Sequence, residues 1–234
     1  MNQFKDALKI KKHTKGEQNP EGISHFYFIR LAESNYVAMR VLVLFGDSLF
    51  PENIAHNGAE CLEKIMKAFL ILRGGASIKQ IKSYRHNLNG ILKDCKKIDN
   101  FFDCEDLSEF CDEYEKGKGN EVLRYGLGEE IKGVSFDLFK IIPLVDKFFL
   151  GTLLRLDDMN FYASGGFILS IVTPNVFSEV VAKNLSSPRS FEIIKEAIWR
   201  QNFSLPDFIK KIENFHKTIN FSPPSLRRRG SGGG

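Results

Sequence analysis

The residues with the clearest capacity for chemistry lie in a short segment in which a histidine, His86, directly follows an arginine, Arg85. An imidazole can act as a general acid or base near neutral pH, and a guanidinium binds phosphate through several donors. The pair therefore indicates a phosphate contact or acid–base chemistry. The simpler alternative is an exposed helix start that only solvates the protein.

The pattern around His86 indicates which way its side chain points. Apolar residues recur at three- and four-residue steps over about residues 78–98, which predicts one helix. On a wheel of about 100° per residue, His86 falls nearly opposite the centre of the apolar stripe, flanked by Lys82 and Arg85. We therefore expect His86 to face solvent, a cleft or a partner subunit. The stripe consists of Ile81, Tyr84, Leu88, Ile91, Leu92 and Cys95.

The clearest helix in the chain precedes this segment and spans Pro51–Arg73. Proline is favoured at a first helical turn, and Gly74-Gly75 predicts a left-handed C-terminal stop. The helix carries two acid-before-base pairs four residues apart, which stabilise helices slightly. A solvated, ion-paired face is the simpler interpretation of the two lysines. The pairs are Glu60/Lys64 and Glu63/Lys67.

Apolar periodicity and helix-start signals predict further helices on both sides of these two. They are a first helix from Ser24 to about Gly46, whose apolar stripe includes Leu31, a short acidic helix Glu105–Tyr114, and an apolar helix Phe136–Leu156 that Ser135 caps and Pro143 kinks. Three more helices begin at or near prolines, at Thr173-Pro174, Ser187-Pro188 and Ser204-Leu205-Pro206.

These elements predict an all-α protein, an antiparallel helical bundle with a helical C-terminal extension. Residues 1–23 form a flexible Lys-rich arm, residues 24–156 the bundle, and residues 157–221 the extension. Residues 222–234 form a disordered, linker-like tail. Four aromatic residues in the extension either pack on the bundle or form a partner surface. They are Phe177, Phe191, Trp199 and Phe203.

Composition and missing motifs exclude several functional classes. The net charge is +4, but three charges come from Arg227–Arg229, so the global charge gives no argument for nucleic acid. The four cysteines form no Cys-x-x-Cys pair, and no histidine lies near Cys104 and Cys111, which predicts no metal site and a reducing cytoplasmic location. No apolar run reaches about 18 residues, so no membrane span is expected. Phosphate-loop, dinucleotide and nucleophile-elbow motifs are absent, and no cofactor is expected.

Three weak motifs in a fixed order resemble the HEPN family of four- to five-helix bundles. A helix with Ala, Glu, Leu and Lys-Ala is followed by a Gly-His-Asn/Asp-Leu helix start, and an Arg-Tyr pair precedes the last bundle helix. The first motif matches Ala59, Glu60, Leu62, Lys67 and Ala68; the second matches His86-Asn87-Leu88, with Arg85 in place of Gly; the third matches Arg124-Tyr125. The resemblance covers about residues 24–156.

The resemblance implies a homodimer that binds a nucleotide, RNA or a cognate partner protein. Many members belong to prokaryotic toxin–antitoxin or defence systems, where the partner is a nucleotidyltransferase or an antitoxin. A purely structural interaction protein is an alternative. We expect a shallow polar cleft that contains Arg85, His86 and Arg124. The predicted nucleotide- or RNA-binding residues are Lys67, Lys82, Arg85, His86, Asn87, Arg124 and Tyr125.

A second alternative is a ribonuclease. The catalytic branch of the family is metal-independent and uses an arginine four to six residues before a histidine. This chain lacks that spacing, because Arg85 is adjacent to His86. A degenerate enzyme would use His86 as the general base or acid on a ribose 2′-hydroxyl, with Arg85 or Arg124 on the phosphate.

Overall fold

The structure is a computed structural model, and it describes residues 24–46, 51–116, 137–156 and 188–218. These residues form helices and no strand, which confirms the all-α prediction. The predictions for residues 1–23 and for the tail, for the helix at Thr173-Pro174, and for Arg124 and Tyr125 lie outside the described residues.

The described residues form eight α-helices, with one short helical turn before the first of them and another between the fourth and the fifth. The order is a π-helical turn Ser24–Ile29, α1 Arg30–Gly46, α2 Pro51–Leu72, α3 Ile78–Ser83, α4 Leu88–Ile98, a 3-10 turn Asn100–Phe102, α5 Glu105–Lys116, α6 Leu138–Leu153, α7 Pro188–Trp199 and α8 Leu205–Thr218. None of these helices is both long and apolar enough to cross a membrane.

Helix α2 is the centre of the bundle, because α1, α4 and α6 all pack against it. Its first residue is Pro51, and after its last turn Gly75 adopts a left-handed φ of 63°, as the sequence predicts. Gly58 permits the close approach of two neighbours: a Cβ there would lie 3.0 Å from Val145 Cγ2 and 3.4 Å from Met39 Sδ. Because α1 and α6 pack closely on this side of α2, the other side of α2 is left for contacts with the rest of the chain.

The prediction of one helix over residues 78–98 is wrong, because the chain breaks between α3 and α4. Arg85 adopts a left-handed φ of 50°, a conformation that ends an α-helix. Asn87 then starts α4 by accepting the N–H of Gly90 at 2.6 Å. The break puts residues 84–87 in a turn, so a single helical wheel does not describe the surroundings of His86.

Two further differences concern helix starts. Asp137 caps α6 by accepting the N–H of Phe139 at 3.1 Å, where the sequence predicted a cap at Ser135, which lies outside the described residues. A π-helical turn has more residues per turn than an α-helix and precedes α1, so Ile29 is buried whereas Leu31 is exposed. The starts of α7 at Pro188 and of α8 at Leu205 agree with the prolines that predicted them.

The C-terminal helices dock on the bundle through a buried polar network. Arg40 of α1 donates from Nη1 to Asp146 Oδ2 of α6 at 3.2 Å and from Nε to the carbonyl oxygen of Ala197 at 2.9 Å. Tyr36 donates to Asp146 Oδ1 at 2.8 Å and accepts from Asn202 Nδ2 at 2.7 Å. Arg40 and Asp146 are each 1% exposed, so the network is shielded from water.

Burial makes Asp146 sensitive to pH. Removal from water raises the pKa of its carboxyl to about 6, although Arg40 and the Tyr36 hydroxyl favour the ionised form. A raised pKa means that the folded protein holds this proton more tightly than the unfolded chain does. The contribution of Asp146 to stability is therefore greatest in acid and is lost as the pH rises through 6.

Asp146→Asn should remove this titration. As the pH falls from 6 to 4, the wild type should become more stable relative to the variant. The difference between their free energies of unfolding should change by about 1.4 kcal/mol for each pH unit. Urea unfolding of both proteins from pH 8 to pH 4 measures this difference between wild type and variant, in which the effects of other carboxylates cancel. A difference that stays constant with pH would contradict the raised pKa.

Candidate functional site

The candidate site forms where one face of α2 meets the turn between α3 and α4. Residues at three- and four-residue spacing on a helix share one face, and this spacing aligns four charged side chains of α2. They are Glu60, Glu63, Lys64 and Lys67. The left-handed turn at Arg85 brings His86 over this face.

The carboxylate of Glu63 is the centre of the group. Its Oε1 accepts from Lys67 Nζ at 2.7 Å and from Lys64 Nζ at 3.1 Å, and its Oε2 lies 3.0 Å from His86 Nδ1. Lys64 also donates to Glu60 Oε2 at 2.8 Å. Glu63 is 4% exposed, so it is a buried carboxylate bonded on both oxygens.

Lys67 is a structural clamp and does not belong to a solvated face. Its side chain is buried, and its Nζ donates to the carbonyl oxygen of Arg85 at 2.5 Å as well as to Glu63. Residues 67 and 85 belong to different elements, so the ammonium group joins α2 to the turn. The prediction of a solvated ion pair is wrong here because the turn covers this face.

The charges of the group stabilise one another. Burial alone would raise the pKa of Glu63, but Lys64, Lys67 and His86 outweigh it and lower the pKa below its usual range. Burial alone would lower the pKa of Lys64, but Glu63 and Glu60 outweigh it and raise the pKa. Both groups therefore remain ionised near neutral pH.

The imidazole of His86 has one ring nitrogen engaged and one directed away from the cluster. Nδ1 faces Glu63, and the side chain is 47% exposed. A neutral ring that donates from Nδ1 has a lone pair on Nε2, so Nε2 can accept a proton or a hydrogen bond from a ligand. The prediction that His86 points away from the core agrees with this geometry.

The other predicted site residues divide into two groups. Lys82 and Arg85 are exposed, and within the described part of the chain the guanidinium of Arg85 makes no hydrogen bond or ion pair. The side chain of Asn87 is also exposed, but its oxygen caps α4. The structure thus brings Lys67, Arg85 and His86 together, and it assigns Asn87 a capping role.

Glu63 and Glu60 are the site residues that sequence reasoning missed. The signal was present, because both acids precede a lysine by four residues on the helix that carries the first motif. The same spacing predicted ion pairs that stabilise the helix, and this interpretation gave no reason to expect a contact with His86. Only the position of the turn at residues 84–87 shows that these acids meet His86.

Three side chains have the atoms to hold a metal ion. Ligand atoms of Glu60, Glu63 and His86 all lie within 4.8 Å of one another. However, the ammonium groups of Lys64 and Lys67 already balance the two carboxylates, and His86 occupies the remaining oxygen of Glu63. A cation would have to compete with these charges, so the donor set is poorly suited to a metal.

Comparisons of this chain with protein-family models, with curated proteins and with solved structures found no significant match. The resemblance to the HEPN family consequently depends on the three sequence motifs. The structure adds one physical point about them: the glycine of the second motif corresponds to position 85, where the backbone is left-handed.

Proposed function

We propose that this chain is a HEPN-like module that binds the phosphate of a nucleotide or RNA at an exposed corner formed by Lys82, Arg85 and His86. The observation that supports this most is the backbone of Arg85. Its φ of 50° lies in the region that favours glycine, and a side chain there costs about 1–2 kcal/mol. The presence of an arginine at this strained position is explained if its guanidinium binds a phosphate.

The chemistry of the corner suits a phosphate. A guanidinium offers paired donors that match two phosphate oxygens, and Lys82 adds a second exposed positive charge. His86 adds a ring nitrogen on the exposed side. The two glutamates beneath the turn do not repel an anion strongly, because Lys64 and Lys67 neutralise them.

One acidic residue limits where the phosphate can bind. Asn89 lies in the first turn of α4, and its backbone N–H donates to the Glu115 carboxylate of α5 at 2.7 Å. A carboxylate therefore already uses the positive end of this helix, and a second anion there would be repelled. The phosphate belongs on the Lys82 and Arg85 side of the turn.

Arg85→Gly separates binding from stability. The free energy of unfolding of the variant should equal that of the wild type or exceed it by up to about 1 kcal/mol, because glycine removes the strain of the left-handed backbone. The substitution retains the backbone carbonyl that Lys67 binds. It should bind a fluorescent oligoribonucleotide at least about tenfold more weakly. The slope of log affinity against log salt should also decrease by about one. Fluorescence anisotropy over a range of salt concentrations measures both quantities.

Lys195→Ala is the matched control, since it removes an exposed positive charge from α7. It should leave the affinity for the oligoribonucleotide unchanged. Equal losses in both variants would indicate only a nonspecific effect of charge. An Arg85→Gly protein that binds like the wild type would refute the proposed phosphate site.

A second candidate function is RNA cleavage, and the bond between Glu63 and His86 favours it. A carboxylate that holds Nδ1 orients the ring and fixes its tautomer, which is how many general bases are positioned. In this reading Nε2 removes the proton of a ribose 2′-hydroxyl, and Arg85 stabilises the phosphate. The unusual Arg-His spacing makes binding without cleavage our first proposal.

Cleavage assays on a structured RNA distinguish the two candidates. If the chain is an enzyme, His86→Ala should reduce the cleavage rate by at least about a hundredfold, the usual contribution of a general base. His56→Ala is the control, because His56 lies on α2 and its Nδ1 is 3.1 Å from the Tyr114 hydroxyl. Equal rates for wild type and His86→Ala would remove the enzymatic reading.

We propose a homodimer in the cytoplasm that belongs to a prokaryotic toxin–antitoxin or defence system and meets a nucleotidyltransferase or antitoxin partner. Large apolar side chains that are exposed in the described residues support an interface, in this or a purely structural role. They include Phe45, Phe139 and Phe203.

A further inference from the structure

The most unusual polar cluster outside the candidate site lies between the bundle and the C-terminal helices. Arg40 of α1 is fully buried, although a buried guanidinium is costly to remove from water. Its donors meet three carbonyl oxygens at the C-terminal end of α7. They are those of Ala197 at 2.9 Å, of Ile198 at 3.5 Å, and of Arg200 in close contact.

Arg40, a side chain of the bundle, therefore caps the C-terminal end of α7. The last carbonyls of a helix have no partner within the helix, and they carry the negative end of its dipole. Arg40 satisfies them from outside, and Asp146 holds the guanidinium in place through Nη1 at 3.2 Å. The C-terminal end of α7 is thus bonded to α1 and, through Arg40, to α6.

A second polar contact holds the connection between α7 and α8. Asn202 donates from Nδ2 to the Tyr36 hydroxyl at 2.7 Å and to the carbonyl of Ile198 at 3.1 Å, and its Oδ1 accepts the N–H of Leu205 at 3.1 Å. One asparagine therefore joins the end of α7, the start of α8 and the bundle. Because of this bond, α7 and α8 should move together.

The face of the bundle beneath α7 and α8 is polar where these bonds are made. Tyr36, Arg40 and Asp146 would regain hydrogen bonds to water if α7 and α8 left, which reduces the cost of separation. Helix α2 would keep its main contacts, which are those with α1, α4 and α6. The apolar residues of α7 and α8 that complete the bundle's core cluster would lose their burial, and these are Ile198, Leu205, Phe208 and Ile212.

We propose that α7 and α8 form one detachable unit, which the guanidinium of Arg40 holds against the bundle and which leaves while α1–α6 stay folded. Detachment uncovers a cleft that contains Tyr36, Arg40 and Asp146. The unit is a conformational device, since it opens and closes this cleft without unfolding the bundle. This inference is independent of the proposed phosphate site at Arg85.

Hydrogen exchange of the full chain, followed by mass spectrometry, tests the device. Arg40→Lys keeps the charge beside Asp146 but loses the branched donors. Exchange of the amides in residues 188–218 should accelerate at least about tenfold, while that of residues 51–72 should stay within about twofold of the wild type. Arg155→Lys is the matched control, because Arg155 pairs with Asp99 at 3.0 Å on the bundle alone. It should leave exchange in residues 188–218 unchanged.

Asn202→Ala provides a second variant that does not disturb the bundle core. It should also accelerate exchange in residues 188–218 alone, and this result decides the matter if Arg40→Lys does not fold. Equal acceleration in residues 51–72 and 188–218 would show that the protein opens as one unit. That outcome, or unchanged exchange in residues 188–218 in a folded variant, would overturn the proposal.

Discussion

The candidate site depends on one buried carboxylate. One carboxylate oxygen of Glu63 accepts hydrogen bonds from two lysine ammonium groups, and the other oxygen faces His86. A buried charge is tolerated only when it is paired and fully hydrogen-bonded, and here two of the three partners have a second function. Lys67 holds the turn through the Arg85 carbonyl, and His86 gains a fixed orientation. Removing this carboxylate would leave an ammonium group buried without its counter-charge.

The conformation of the turn follows from the same cluster. Lys67 binds the carbonyl of residue 85, so the backbone there is held in a left-handed conformation that most side chains avoid. The strain is offset by the bonds that the turn makes to α2. The result is an arginine and a histidine presented side by side above the buried ion pairs of α2.

Much of the fold was readable from the sequence because its signals are local. Pro51, Gly75 and Pro188 mark helix ends by backbone preferences that need no tertiary information. The break at Arg85 was not readable, since apolar periodicity continues through it and no glycine at position 85 marks the left-handed backbone. Arg40 was missed for another reason: its partners are Asp146 and backbone carbonyls far away in the chain, and such long-range pairings have no sequence signature.

The geometry around the candidate site could be predicted from the sequence only in part. The residue types at 85 and 86 indicated exposed chemistry, and the exposure of His86 agrees with that prediction. The burial of Lys67 could not be predicted, because an acid–base pair four residues apart looks the same on a solvated face and beneath a turn. What distinguishes the two cases is a tertiary contact.

The tautomer of His86 tests the central claim most directly. Long-range proton–nitrogen correlation NMR on the ¹⁵N-labelled protein reports which ring nitrogen carries the hydrogen in the neutral imidazole. The contact with Glu63 predicts hydrogen on Nδ1 and an unprotonated Nε2, the reverse of the preference of a free imidazole side chain in water. A neutral His86 with its hydrogen on Nε2 would show that Glu63 does not hold the ring, and it would contradict this account of the site.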